Sequence, residues 1–178
     1  MDTAAKPVLY QGRRLPLAEL SPSDFEAFVY VAFEALGPRL GFELRGKTGA
    51  GGDGGFDIWG ERHDRAIVCI QCKRWQHVAL NDAAAEFAKV ALSTFLDNSN
   101  TREHIIVASG TLAKNLHVAL RETNRSTLIE RAIEQAEKVL QELRERVVTQ
   151  GGDPSGVIRE YIAGLARVEV WDGDMFDV

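Results

Sequence analysis

The residues best suited to chemistry lie in two short stretches of the sequence. Asp57 follows a run of glycines, and Gln71 and Lys73 lie in the apolar segment 66–73. Because side chains alternate along a strand, Gln71 and Lys73 share one face of that segment. A lysine and a glutamine are costly to bury among apolar residues unless they meet a polar partner, a metal ion or a ligand. We expect Asp57 to be that partner, since a hairpin would bring it alongside the segment.

These residue types fit metal-assisted hydrolysis of a phosphodiester bond. A bound divalent ion neutralises the scissile phosphate and lowers the pKa of a water molecule, and Mg²⁺ prefers a few oxygen ligands completed by water. Asp57 offers a carboxylate, Gln71 an amide oxygen and Cys72 its backbone carbonyl. Lys73 offers an ammonium group that can hold the water. The amide leaves the site one negative charge short. Glu26, at the edge of the apolar stripe of the first predicted helix, either restores this charge or is a plain surface glutamate.

A glycine-rich loop precedes Asp57. Six of the ten residues 46–55 are glycine, which makes the segment too flexible for a helix and too poor in side chains for a core strand. Lys47 and Thr48 precede the glycines instead of following them, so their order differs from that of a phosphate-binding P-loop. The backbone amides of the loop could still approach DNA. Asp53 is either a further metal ligand or a turn residue, and the turn is favoured.

The remaining segments predict a layered α/β fold. A helix capped at Ser21 or Ser23 is expected to end near Leu36, because Gly37 and Pro38 follow. Strands and helices then alternate in the order that is typical of a layered sheet, and the first two strands are close enough to form a hairpin. The segments are strand 56–59, strand 66–73, helix 81–96, strand 104–109, helix 112–121, helix 155–165 and strand 167–171.

A long charged helix is predicted from Thr127 to Thr149. Its apolar residues recur at alternating steps of four and three, which indicates a heptad seam about three heptads long. Such a seam either packs against the domain's own helices or forms a dimer, and the first alternative is favoured. The seam consists of Ile129, Ile133, Ala136, Leu140, Leu143 and Val147.

Composition and charge limit the class of protein. The 178 residues and 45% hydrophobic content fit one compact domain, 1–178. No apolar run approaches the roughly 18 residues of a membrane span, and the N-terminus lacks the apolar core of a secretory signal, so a cytoplasmic protein is expected. The net charge of −5 argues mildly against a nucleic-acid partner. The segment 39–75, however, carries seven basic and five acidic residues, a charge of +2.

Three motifs together resemble the Mrr-type restriction endonucleases of the PD-(D/E)XK superfamily. They are Asp24-Phe-Glu-Ala-Phe in the first helix, Gly51-Gly-Asp-Gly-Gly-Phe-Asp, and Ile70-Gln-Cys-Lys-Arg-Trp. The final strand, Val168-Glu-Val-Trp-Asp-Gly-Asp, is similar to the closing strand of the same domains, so the likeness covers most of the chain. Phe56 stands where the superfamily name has proline, and an apolar residue there is common in the Mrr branch. In this branch a glutamine replaces the second acid.

The resemblance implies a fold and a set of site residues. The fold would be a restriction-endonuclease-like three-layer α/β/α arrangement with a central mixed sheet, in which the helical segment 122–165 is an insertion. Asp57 would be the metal-binding aspartate and Lys73 the catalytic lysine. Gln71 would be the glutamine of the QxK signature, and Glu26 the helical acid of the site. The cofactor would be Mg²⁺, with Mn²⁺ as a substitute.

DNA is the substrate that the resemblance implies, within a bacterial defence role, and the sequence does not separate it from RNA. Double-strand breaks would need a homodimer or paired binding, because one such site cuts one strand, and an ending so close to a strand suggests that further C-terminal domains of a longer chain follow. The alternative is a catalytically weak or inactive nucleic-acid-binding or assembly module, which the acidic net charge and the heptad seam favour. Arg74 and Trp75 could equally belong to a solvated strand end. The candidate DNA contacts are Lys47, Gly52, Gly54, Arg74 and Trp75.

Overall fold

The structure, a computed structural model, describes residues 17–47, 55–172 and 175. None of the helices in these ranges combines the length and the apolar character that are needed to cross a bilayer. The strands are β1 (Glu43–Lys47), β2 (Ile58–Glu61), β3 (Ile67–Lys73), β4 (His77–Val78), β5 (Thr101–Ala108), β6 (Thr111–Leu112) and β7 (Arg167–Trp171). The α-helices are α1 (Pro22–Leu40), α2 (Leu80–Leu96), α3 (Lys114–Arg121), α4 (Ser126–Val139), α5 (Gln141–Thr149) and α6 (Pro154–Gly164).

The central sheet is mixed and has the strand order β1-β2-β3-β5-β7. β1, β2 and β3 are antiparallel, whereas β3, β5 and β7 are parallel. The predicted hairpin is therefore confirmed as β2–β3, with Ile58 opposite Ile70. Beyond the carboxyl ends of β3 and β5, the short strands β4 and β6 pair with each other. Gly110 permits their approach, since a Cβ there would lie 2.1 Å from the Gln76 carbonyl oxygen.

Helices cover both faces of the central sheet, which confirms the three-layer α/β/α prediction. On one face, α1 contributes Phe25 and Phe33 to a core that also contains Ile70 of β3. On the other face, α2 contributes Phe87 to a second core with Ile106 of β5, and α4, α5 and α6 pack against α2. Each of these fully buried side chains contributes roughly 2 kcal/mol through the area it removes from water.

The first helix begins where the sequence predicts and ends later. The Ser21 hydroxyl accepts a hydrogen bond from the Asp24 N–H, which caps the helix in front of Pro22. The predicted end near Leu36 is wrong, because α1 continues through Pro38 to Leu40. The chain reverses only at Gly41, whose φ of 88° is a left-handed conformation that favours glycine.

The expected long helix 127–149 is wrong, because the segment forms two helices. Leu140 leaves the helical conformation with φ −119° and ψ 35°, although neither glycine nor proline marks this position. The bend allows both α4 and α5 to pack against α2. The predicted seam is buried within the domain, as the favoured alternative expects. Its residues in the core or packed on it are Ile129, Ile133, Ala136, Leu140, Leu143 and Val147.

The sequence does not predict β1, although this strand carries Lys47 to the edge of the site. Its residues Glu43-Leu-Arg-Gly-Lys lack the apolar alternation of a core strand, and only intermediate or exposed positions occur in it. β1 is an edge strand whose charged residues face solvent, as is common at sheet edges. Hydrogen bonding to β2, rather than burial, holds it in place.

Candidate active site

Asp57 is held at the open end of the β2–β3 hairpin by two hydrogen bonds to β3. Its N–H donates to the Ile70 carbonyl over 3.1 Å, and its Oδ2 accepts from the Cys72 N–H over 2.7 Å. The Asp57 carboxylate thus accepts a backbone hydrogen bond from β3 beyond the point where the pairing of β2 with β3 ends. Because the N–H and C=O of one strand residue point to the same side, the Cys72 carbonyl also faces Asp57.

Gln71 is buried, and its amide orientation is fixed by its neighbours. The amide nitrogen donates to the Gly55 carbonyl and, over 3.0 Å, to Glu86 Oε2. The amide oxygen lies 2.8 Å from His104 Nε2. Reversing the amide would set its oxygen against two acceptors, so only one orientation satisfies all partners. The nitrogen of Gln71 therefore faces the Gly55–Asp57 side, and its oxygen faces the core.

Lys73 meets a carboxylate from α2. Its Nζ lies 2.7 Å from Glu86 Oε1 and 5.6 Å from the centroid of the Trp75 ring. The side chains of Lys73 and Glu86 remain 23% and 18% exposed, respectively. Solvent, an ion or a phosphate group can therefore reach both charges. Gln71 and Lys73 do share one face of β3, as alternation predicts, and Glu86 joins them there.

His104 continues this hydrogen-bonded arrangement into the core. Its Nδ1 lies 3.3 Å from the Tyr161 hydroxyl, and its ring packs edge-on against Phe87 at 4.4 Å between centroids. Burial, and then the charge of Lys73, lower the pKa of His104 to about 3, so the ring is neutral at pH 7. Burial also raises the pKa of the Tyr161 hydroxyl, which stays protonated.

The Cys72 side chain lies on the face of β3 opposite Gln71, and several charges near the end of the strand act on its thiol. Burial raises the pKa of this thiol well above its ordinary value, and the carboxylates of Asp57 and Glu26 raise it further. Lys47 and Lys73 act in the opposite direction. Glu26 is half-buried on α1, and its carboxylate acts on the Cys72 thiol together with that of Asp57. Asp57 and Lys73 thus lie at the same end of β3, and Glu26 acts on this end from α1.

The predicted DNA contacts are dispersed around this end of the sheet. Lys47, at the end of β1, lies 5.3 Å from the centroid of the Tyr30 ring of α1. Arg74 is exposed, and its guanidinium donates to the Ala18 carbonyl over 3.2 Å. Trp75 is half-buried against the core that α2 covers. Gly52 and Gly54, together with Asp53, lie outside the described residues.

The donor types suit a hard divalent cation such as Mg²⁺. Asp57, Glu26 and Glu86 offer carboxylates, and Cys72 offers a carbonyl oxygen on the Asp57 side. In the part of the chain that the structure describes, no three His, Cys, Asp or Glu side chains converge as a ready ligand set. Mg²⁺ does not require one, because it commonly binds through one or two carboxylates, water and substrate phosphate. Binding through the Gln71 oxygen stays a prediction and requires that amide to leave His104.

Sequence reasoning missed Glu86, His104 and Tyr161. Two of them carry a signal: Glu86 interrupts an alanine-rich apolar helix, and His104 begins the apolar run of β5. A polar residue in such a setting needs a partner. The partners could not be identified from spacing, since they lie 15 residues apart for Gln71 and Glu86 and 57 for His104 and Tyr161.

One of three comparisons with known proteins finds a match. A family model described as restriction endonuclease, the Mrr catalytic domain, matches residues 17–133, about two thirds of the chain. The matched range includes the whole β2–β3 hairpin and α2, and it ends within α4. No significant match occurs among the curated proteins or among the solved structures.

Proposed function

Since the chain belongs to the restriction endonuclease family, in its Mrr branch, we propose that it is a divalent-metal-dependent endonuclease that hydrolyses DNA phosphodiester bonds. The observation that carries this proposal is the arrangement at the end of the hairpin. Asp57 is hydrogen-bonded to β3 one residue before Lys73, and the Lys73 ammonium remains accessible to solvent. A fixed carboxylate beside an accessible cation is what metal-assisted attack on a phosphodiester requires.

In the proposed site, one group of residues binds the metal ion and Lys73 binds the attacking water and the phosphate. Asp57, the Cys72 carbonyl and Glu26 would hold Mg²⁺ or Mn²⁺, which supplies a bound water of lowered pKa and neutralises charge on the phosphate. Lys73 would orient the attacking water and stabilise the charge that develops on the phosphate oxygens. Gln71 is proposed as part of the same site, where it fixes the groups around it.

The DNA backbone would be held by the surfaces that flank the site. Lys47 and Arg74 are proposed to contact phosphates, and Trp75 to line the approach. Gly52 and Gly54 of the glycine-rich loop are proposed to bring backbone amides to the same strand. Phosphate contacts of this kind fix position and contribute salt-dependent affinity without reading sequence.

We extend the proposal to the biological setting that the family suggests, restriction or anti-phage defence in the cytoplasm. One site cleaves one strand, so double-strand breaks would require a homodimer or a second bound copy. Additional C-terminal domains of a longer protein would then select the target, because specificity in such enzymes resides in loops and added domains.

The second candidate is a binding or assembly module of the same fold with little turnover. The net charge of −5 favours it, since DNA binding benefits from a cationic surface. The heptad seam gives it no support, because those residues pack inside the domain. Metal-independent DNA binding without cleavage would favour this candidate over the nuclease.

The test is incubation of supercoiled plasmid, methylated and unmethylated, with wild-type and Lys73→Ala protein in Mg²⁺, Mn²⁺ or chelator. We expect nicking that requires the metal and that falls about 1,000-fold in the Lys73→Ala protein. Lys138→Ala is the matched control, because Lys138 also pairs with a glutamate, Glu134, on the exposed face of α4. Absence of nicking by the wild-type protein in every condition would contradict the proposal for this chain.

A further inference from the structure

Glu86 lies beside Lys73 and Gln71 and remains partly exposed to solvent. It projects from α2 toward β3, where Oε1 pairs with Lys73 and Oε2 accepts from Gln71. Although the next residue of α2, Phe87, is fully buried, the side chains of Glu86 and Lys73 are both partly accessible to solvent. An acid held in this way keeps a lone pair available for a ligand while its position is fixed.

The contacts of Glu86 with Lys73 and Gln71 place it among the proposed catalytic groups, and its charge acts on the same buried thiol as theirs. The buried Cys69 thiol has a raised pKa, first because of burial, and then because of the carboxylates of Asp57 and Glu86. Lys73 acts on the same thiol in the opposite direction. One short region of β3 therefore experiences all three charges. Glu86 is therefore placed to provide the one carboxylate that a site with glutamine in place of its second acid would otherwise lack.

The hydrogen bonds behind Glu86 have one consistent donor direction. The Gln71 amide must present its nitrogen to the Gly55 carbonyl and to Glu86, and therefore its oxygen to His104. His104 must then carry its proton on Nε2, which leaves Nδ1 to accept from the Tyr161 hydroxyl. The reverse direction would set the Gln71 oxygen against the Gly55 and Glu86 oxygens.

We propose that Glu86 supplies the second carboxylate of the nuclease site, and that Gln71, His104 and Tyr161 are positioning residues that hold it beside Lys73. This inference rests on the proposed function and deepens it. In it, Gln71 replaces an acid indirectly: its amide nitrogen orients the acid that α2 provides. Glu86 is the group that touches the ion, whereas the other three act through it.

The outermost positioning residue lies beyond the part of the chain that the family model matches. Tyr161 belongs to α6, whereas the match ends at residue 133. Its hydroxyl reaches His104 from the layer that covers α2, and Tyr161 also lines a surface cavity of about 300 Å³ between α2 and α6. The helical segment after residue 133 therefore contributes directly to the orientation of the site, in addition to burying α2.

The experiment measures Mn²⁺ binding by calorimetry, with plasmid nicking in parallel, on the whole chain. We expect Glu86→Gln to weaken Mn²⁺ binding at least ~10-fold and to slow nicking about 100-fold. Asp57→Asn should act in the same direction. Glu130→Gln, an exposed acid of α4, is the matched control and should change neither quantity.

A pair of variants tests the positioning role separately. His104→Gln keeps a side-chain N–H that can donate to the Gln71 oxygen, whereas His104→Leu removes it. Mn²⁺ affinity should stay within about 3-fold of wild type in the first and fall about 10-fold in the second. If His104→Leu does not fold, ¹⁵N NMR of the wild-type imidazole decides, because the proposal requires a neutral ring with the proton on Nε2. A proton on Nδ1 would overturn the positioning role.

The outcomes separate this inference from the proposed function. If wild-type protein nicks DNA and Glu86→Gln binds Mn²⁺ and nicks equally well, the inference fails and the nuclease stands. If wild-type protein does not nick DNA but its Mn²⁺ binding depends on Asp57 and Glu86, the inference stands and the nuclease fails. A wild-type protein that neither binds Mn²⁺ nor nicks DNA overturns both.

Discussion

Two glutamates with cationic partners lie toward opposite ends of β3, and they differ in a way that separates stability from chemistry. Glu103, on β5 opposite Val68 near the start of β3, is 1% exposed and pairs with Arg62 and Arg167. Glu86, opposite the end of β3, is 18% exposed and pairs with Lys73. The first carboxylate is closed off between two guanidinium groups, and the second is open to solvent.

The choice of cation follows the same division. An arginine presents a rigid fork that stays charged and locks a carboxylate in place, whereas a lysine is a compact charge on a flexible stem. Arg62 and Arg167 hold Glu103 between the end of the hairpin and β7. In the proposed mechanism, the partly exposed Lys73 ammonium exchanges Glu86 for a water molecule or a phosphate oxygen. A buried acid between arginines therefore indicates a structural role, and a partly open acid with lysine indicates a functional one.

We call the end of β3 that carries Asp57, Lys73 and Glu86 the functional end. The largest effect is expected when this end loses a charge. Asp57→Asn keeps an oxygen for the Cys72 N–H but removes the negative charge that an ion requires. We expect nicking to fall about 1,000-fold, equivalent to about 4 kcal/mol in activation free energy, with little change in melting temperature. Asp64→Asn is the matched control, since Asp64 also accepts a backbone hydrogen bond, from the Ala66 N–H over 3.1 Å. Equal loss of activity in both variants would contradict the assignment of Asp57.

At the opposite end of β3, the structural end with Glu103, Arg62 and Arg167, a substitution should lower the free energy of unfolding instead of the activity. Glu103→Gln leaves two arginines beside a neutral amide in a buried site, and we expect the free energy of unfolding to fall by about 3 kcal/mol. Urea denaturation measures this change. Glu61→Gln serves for comparison, because Glu61 binds the exposed Arg45 over 3.2 Å and should change stability by less than about 1 kcal/mol. A stable Glu103→Gln protein with impaired nicking would reverse the proposed division.

His104 makes a pH-dependent contribution to stability. It follows Glu103 on β5, so its side chain points to the opposite face of the sheet, the face that α2 covers. Its pKa is about 3 in the folded protein, below the ordinary value of 6.5. The unfolded chain therefore binds the proton more readily, and stability is lost as pH falls below 6.5 toward 3. We expect a loss of about 2 kcal/mol between pH 7 and pH 5. Denaturation in chelator should show this slope in wild type and a smaller one in His104→Gln.

The smallest effect is expected at Gly41, beside the structural end. Gly41 has φ of 88°, and a Cβ there would lie 3.3 Å from the Arg62 guanidinium. Gly41→Ala should therefore cost about 1 kcal/mol in stability through its left-handed backbone. Gly164→Ala is the control, because nothing lies within 4 Å of a Cβ at that position in α6. A thermal melt that ranks the two variants in the opposite order would contradict this account.

Much of the functional end could be predicted from the sequence because its interactions are local. The hairpin, the shared face of Gln71 and Lys73, and the position of Asp57 all follow from alternation over fewer than about twenty residues. Glu86 could not be assigned in this way, because its partners become apparent only when α2 packs over β3. The same limit applies to Arg167 and Glu103, which belong to different strands.

The helical region shows a second limit of sequence reasoning. The heptad spacing correctly indicates residues of 127–149 that lie in or against the core, although it omits the fully buried Leu128 and Ala132. It also predicts one straight helix. Neither glycine nor proline occurs near Leu140 in the sequence, so the sequence does not predict the break there. It arises from the packing of α4 and α5 on one neighbour, α2, which is a tertiary effect that local propensity does not contain.

The most direct test of this division compares the Mg²⁺-dependent nicking rate per folded molecule of Lys73→Ala and Glu103→Gln with that of wild type. Both variants are assayed at a temperature at which circular dichroism shows them folded. We predict that Lys73→Ala is stable and nearly inactive, whereas Glu103→Gln is less stable and nicks at close to the wild-type rate. Wild-type nicking by Lys73→Ala would contradict the central claim that this lysine serves the chemistry of the site.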